Sequence, residues 1–208
     1  MPTEHTPTEQ LRLEHVDVSL GDARVLADFS LAFPECGFVC ITGPSGGGKT
    51  TLLKVIAGLI EPDNGTVSGI DKTRLAMMFA EDVLLDWLSV EENIALVVKD
   101  SSLVSSACSQ ALETVELSGY EKHYPVELSK GMQRRVALAR ALAFESDILL
   151  LDEPTVNLDN RLACAIMARI VELRKDRLTI CVTHNPDLMQ GFATHTYRFI
   201  GLPLTPTE

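Results

Sequence analysis

No apolar run in the chain approaches the roughly 20 residues needed to cross a bilayer, so no membrane-spanning helix is expected. The start of the chain also lacks the basic opening and apolar stretch of a secretion signal. Residues 1–10 and 202–208 are polar or proline-rich and are expected to be loose tails. Cysteine pairs with metal-type spacing, such as C-x-x-C, are missing. The five cysteines (36, 40, 108, 164 and 181) are odd in number, and Cys40 and Cys181 lie inside apolar runs, which points to buried, reduced thiols in a cytosolic protein. Basic charge is short as well: 18 Lys and Arg stand against 29 Asp and Glu, a net charge of −11. That balance disfavours a nucleic-acid platform, so no nucleic-acid partner is expected. There is no internal repeat and no low-complexity segment. What is present is a chain of 208 residues, 46% hydrophobic and 23% charged, which suits one globular domain with a substantial core and room for a small inserted subdomain.

The run Gly43-Pro44-Ser45-Gly46-Gly47-Gly48-Lys49-Thr50 fits the phosphate-binding pattern G-x-x-x-x-G-K-[ST] without a mismatch. A strand-like apolar run, Phe38 to Ile41, precedes it, and a helix-like stretch from Thr51 to Ala57 follows. Glycines let successive N–H groups turn inward around an anion, and the helix N-terminus adds partial positive charge. Lys49 supplies a cation for the outer phosphates and Thr50 a hydroxyl for Mg²⁺, while Pro44, Ser45 and Thr51 complete the nucleotide-binding set. This chain is expected to bind a nucleoside phosphate.

Residues 11–20 and 25–33 read as strands joined by the turn 21–24, and Pro62-Asp63-Asn64-Gly65 reads as a turn into a further strand at 66–68. Residues 74–79 have strand character, whereas about 89–124 carry helical spacing, as an inserted helical subdomain would. A helix continues after Met132, and another covers 161–175. Ile148 to Leu151 is an uninterrupted apolar run of the kind buried on both faces of a parallel sheet, and Leu178 to Thr183 reads as a second such strand. The alternation predicts an α/β fold with a mostly parallel core sheet and helices over it, and the phosphate loop at Gly43–Thr50 makes it resemble the P-loop NTPase type.

Asp152 and Glu153 directly follow the first of those two strands. Ligands of open α/β sheets gather at the carboxyl ends of strands, where the phosphate loop also sits. Asp152 is placed to hold Mg²⁺ and Glu153 to polarise an attacking water. His184 closes the next strand and is a candidate for the terminal phosphate; Asn185 and Pro186 read as the cap and first turn of a helix.

The segment Leu128-Ser129-Lys130-Gly131-Met132-Gln133-Arg134-Arg135 resembles the signature of ABC-type ATPases, normally LSGGQ followed by a basic helix. Leu150 to Pro154, Asn157-Leu158-Asp159 and Thr183-His184 look like that family's Walker B strand, D-loop and switch histidine, in the right order. The resemblance runs from about residue 11 to 200. It implies a single ABC ATPase domain with N-terminal antiparallel strands and a helical, signature-bearing subdomain over about 89–145. It also implies ATP and Mg²⁺ as ligands and head-to-tail pairing with a second ATPase subunit, homo- or heterodimeric, around two ATP. Ser129 and Gly131 would contact the ATP of the partner, Asp159 would link the two sites, and His184 would steady phosphate and water.

Three positions depart from the family. Leu20 stands where an aromatic residue usually stacks on adenine, Ala80 where glutamine touches Mg²⁺ and water, and Lys130 where glycine is usual. Weaker base selectivity, and either slower turnover or looser coupling, are the expectations. Lys130 either adds charge opposite the partner's ATP or points into solvent. The region from Leu84 to Ile94 resembles the permease-facing segment of importers of the nitrate, sulfonate and taurine type, with Trp87, the single tryptophan, either in the core or at that contact. The resemblance implies an ATPase that energises separate transmembrane permease subunits from the cytoplasmic face of the membrane. The alternative is a nucleotide-sensing regulatory module with little turnover.

Overall fold

The computed structural model describes residues 10–207; the expected tail over residues 1–9, and Glu208, lie outside the described residues. Strands β1 (Arg12–Leu20) and β2 (Ala23–Ala32) form a hairpin around Gly21 and Asp22, and β4 (Asn64–Ser68) pairs antiparallel with the other side of β1. The core sheet contains β3 (Gly37–Thr42), β5 (Leu75–Met78), β6 (Ile148–Asp152), β7 (Leu178–Val182), β8 (His195–Ile200) and β9 (Thr205–Thr207), in the order β5-β6-β7-β3-β8-β9. Every neighbouring pair is parallel except β8 with β9.

The apolar runs enter this sheet because both of its faces are covered, and the period-2 alternation of a strand then sends neighbours into different cores. Val39, Ile41, Leu150, Ile180 and Val182 pack with the antiparallel strands and with α1 (Lys49–Ile56). Cys40, Leu149, Leu151 and Cys181 pack instead against the helical side, formed by α2 (Val90–Ala95), α3 (Val104–Thr114), α4 (Lys130–Ala143) and α5 (Asn160–Leu173). In α5 the buried positions Ala163, Ile166, Met167 and Ile170 follow the helical period. Cys40 and Cys181 are buried free thiols, as expected, and burial pushes Cys40 up to about 11 and Cys181 well above its ordinary value.

The helical insertion is closed by strong local signals. Ser89 and Glu92 form a reciprocal capping box at the start of α2. Behind it, the fully buried Asn93 donates from Nδ2 to the carbonyls of Leu85, Leu88 and Ser89 and accepts the Leu85 N–H at 2.9 Å. Asn93→Ala would strand these buried groups. It is expected to cost about 1–3 kcal/mol of stability, read as a lower urea midpoint.

The sequence reading needs correction at both ends. Gln10 is fixed, donating from Nε2 to the Phe33 carbonyl at 2.7 Å. Residues 202–207 do not form a loose tail: Leu204 is buried, its N–H donates to the Val25 carbonyl at 2.8 Å, and β9 covers what would otherwise be the open edge of β8.

Candidate functional site

The carboxyl ends of β3, β6 and β7 meet at one edge of the parallel sheet. From β3 the chain enters the loop 43–48 and then α1, whose N-cap Gly48 is left-handed (φ 87°). A Cβ at Gly48 would lie 2.7 Å from Val25 Cγ1, so glycine there allows both the turn and the approach of the β1–β2 hairpin. No side chain caps α1 and no acid occupies its first turn, which leaves its N–H groups and partial positive charge to an incoming anion. Lys49 is largely buried and folds back over the loop, donating from Nζ to the carbonyls of Gly43 (3.0 Å) and Pro44 (2.8 Å). Pro44, Ser45 and Gly46 are exposed at the tip, and Thr51 is buried behind it.

Asp152 ends β6 and is 1% exposed, with neither carboxylate oxygen hydrogen-bonded. Burial pushes its carboxyl above the usual carboxylate range; the neighbouring Thr50 hydroxyl pulls the other way without closing a hydrogen bond of full geometry. An orphaned, buried carboxylate beside a threonine hydroxyl is a fitting oxygen pair for Mg²⁺. Among the described residues no group of three or more His, Cys, Asp or Glu side chains is arranged for a metal.

Glu153 adopts a left-handed backbone (φ 52°), a conformation that costs a non-glycine residue about 1–2 kcal/mol and needs support. Its N–H donates to the Val182 carbonyl at 2.9 Å. Its Oε2 accepts the His184 backbone N–H at 3.2 Å and lies 2.8 Å from His184 Nδ1. Asn185 precedes α6 (Pro186–Met189), but no side-chain hydrogen bond caps that helix.

The remaining predicted residues form a second cluster. Ser129 caps α4, its Oγ accepting the Met132 N–H at 3.3 Å. A Cβ at Gly131 would lie 2.7 Å from the Asn157 carbonyl, so glycine permits the start of α4 to pack against the segment before α5. Asp159 caps α5 through the Leu162 N–H. Among the described residues, none of the hydrogen bonds made by Ser129 or Asp159 reaches the phosphate loop. Lys130 is exposed and donates to Gln133 Oε1 of its own helix at 2.9 Å. Trp87 is 73% exposed, which excludes the core role for it within this chain.

One residue escaped the sequence reading. Arg134 in α4 is 2% exposed, and its guanidinium donates to the carbonyls of Phe79, Ala80, Asp152 and Glu153 and to Asp82 Oδ1. A second arginine beside it in a basic helix offered no signal that one of the two turns inward.

A parallel sheet with a phosphate loop after one strand and paired carboxylates after another defines a P-loop nucleotide-binding protein. A sequence profile described as ABC transporter matches residues 26–156, well over half of the chain, and the chain belongs to that family. It is 38% identical to the sulfate/thiosulfate import ATP-binding protein of Gloeobacter violaceus over 190 residues, covering 84% of this chain and 55% of that protein. It is 41% identical to an aliphatic sulfonates import ATP-binding protein of Rhodococcus jostii over 170 residues, covering 79% of this chain and 68% of the relative. The chain thus spans a little over half the length of the first of these. Among solved structures it is similar to an ATP-binding cassette in a dimeric, post-hydrolysis state bound to ADP and phosphate. The TM-score is 0.81 at 27% identity, over 93% of this chain and 94% of that one.

Proposed function

We propose that this chain binds and hydrolyses ATP to energise a separate membrane permease, pairing head to tail with a second copy of itself around two ATP. The observation that carries the reading is the convergence of Lys49, Thr50, Asp152, Glu153 and His184 at the ends of three parallel strands. Lys49 and the N–H groups of α1 would hold the phosphates. Mg²⁺, held by Asp152 and Thr50, would supply charge to neutralise the phosphate oxygens. Glu153 would orient water and draw off its proton as the water oxygen bonds to the terminal phosphorus and the bond to the leaving phosphate oxygen breaks. His184, which sets the direction of the Glu153 carboxylate, would fix that water's line of approach.

Ser129 and Asp159 cap α4 and α5, and a partner's nucleotide is the ligand we assign to them together with Gly131. Intact acid, lysine and histidine support turnover over a purely sensing role. The importer names of the relatives, together with the exposed Trp87 and Val83, support a permease contact at the loop 83–88 from the cytoplasmic side, without naming the cargo.

Trp87→Ala tests the docking half of the reading. It is expected to keep Mg²⁺-dependent phosphate release while recovery of a polytopic membrane protein with the tagged chain drops about 30-fold or more, as loss of an aromatic hot spot would produce. Undiminished recovery of the permease would remove Trp87 from the interface, and a wild-type chain that releases no phosphate from ATP would remove the ATPase reading.

A further inference from the structure

A buried guanidinium that serves only to fill space needs a partner on one side. Arg134 has partners on two. One nitrogen, Nη2, donates to the carbonyls of Asp152 and Glu153, the turn that ends β6 and carries both candidate site carboxylates. The other, Nη1, donates to the carbonyls of Phe79 and Ala80 and to Asp82 Oδ1, on the loop that follows β5. The side chain itself springs from α4, five residues beyond the helix cap Ser129. Three separate pieces of chain therefore meet on one planar group, with its charge neutralised by Asp82 at 3.1 Å.

Two further features make this junction more than a local brace. Glu153 is held in a left-handed conformation, and its carbonyl is one of the groups Arg134 grips, so the guanidinium helps to maintain the strained turn that aims the carboxylate. The loop on the other side is tied down before and after Trp87. Arg140, also on α4, donates to the Val83 carbonyl at 2.9 Å, and buried Asn93 ties down residues 85, 88 and 89. A displacement of α4 would reach the exposed Trp87 and the Glu153 turn through the same side chain.

We propose that Arg134 is a positioning residue that sets the Asp152–Glu153 turn and ties it to the 79–88 loop, so that the catalytic end and the Trp87 surface move as one body. The inference rests on the ATPase reading above. It assigns to an arginine, through backbone carbonyls, a link that the methyl group of the neighbouring Ala80 cannot make.

Trp87 is the single tryptophan, so its emission reports on the loop directly. In the wild-type full-length chain, addition of ATP with Mg²⁺ is expected to shift that emission. Arg134→Lys keeps the charge but offers one nitrogen in place of two, and so cannot span both sides. It is expected to bind trinitrophenyl-ATP as the wild type does, to lose the emission response, and to lower kcat about 10- to 100-fold at unchanged KM, as misplacement of a reacting group does. A residue that only supports the fold would lower the melting temperature and leave the emission response and kcat in place; that result overturns the proposal. So does a wild-type chain that binds ATP with no change in Trp87 emission. A wild-type chain that binds no ATP overturns the ATPase reading and this inference with it. If Arg134→Lys does not fold, Arg134→Gln, which is uncharged and too short to span both sides, carries the test: a diminished emission response at intact ATP binding supports the link, and a full response overturns it.

Discussion

Replacing Glu153 by glutamine is expected to lower ATP turnover by about 100-fold or more while leaving nucleotide affinity close to that of the wild type. The substitution keeps the size of the side chain and one oxygen able to accept the His184 N–H, so the left-handed turn and the β6 end keep their supports. What it removes is the charge that, in the proposed mechanism, would draw a proton from water. Loss of a group acting only in the transition state lowers kcat and kcat/KM together. Phosphate release measured across ATP concentrations, beside direct binding of trinitrophenyl-ATP, separates the two effects. Turnover within a few-fold of the wild type would assign the chemistry to another residue.

Lys49→Ala is expected to act on the other half of the cycle, lowering ATP affinity by about 100-fold or more. A charge-assisted hydrogen bond is worth about 1.5–3 kcal/mol, and a lysine in this loop makes more than one to the outer phosphates. The starting position of Lys49 favours a large effect. Its ammonium is already desolvated and rests on the carbonyls of Gly43 and Pro44, so little ordering is left for the ligand to impose. The measurement is a nucleotide titration of Lys49→Ala, with circular dichroism confirming that α1 survives. Affinity within a few-fold of the wild type would mean that the nucleotide binds elsewhere.

These two residues also mark how much could be read from the chain before its structure. Lys49 lies in a motif whose spacing dictates a turn, an anion cradle and a helix start at once, and Ile148 to Leu151 and Leu178 to Val182 can only be strands buried on both faces. Their carboxyl ends locate Asp152, Glu153 and His184 without further information. By contrast, β8 presents only Phe199 as a fully buried side chain, so it has no apolar run to announce it. β9 owes its place to the open edge of β8 and to Leu204, a long-range arrangement that local pattern does not encode. Arg134 is legible only in three dimensions, since all its partners but Asp82 are backbone carbonyls, up to 55 residues away, and carry no sequence signature. Of the three departures, Lys130 is engaged with Gln133 on its own helix, which accords with the solvated reading. Leu20 is exposed on the hairpin that packs against Gly48, and the exposed Ala80 offers the site its carbonyl to Arg134.

In the proposed function the phosphate loop of one chain and the Ser129–Gly131 segment of a second chain share each nucleotide. Glu153→Gln, expected to hold ATP while consuming it slowly, offers the cleanest view of that pairing. Light scattering of this variant with and without ATP and Mg²⁺ is the most direct measurement. The account predicts that the molar mass doubles on addition of ATP, and that Gly131→Val, which drives a side chain into the Asn157 carbonyl, prevents the doubling. A Glu153→Gln protein that stays monomeric at ATP concentrations saturating its loop would contradict a site shared between two copies of this chain.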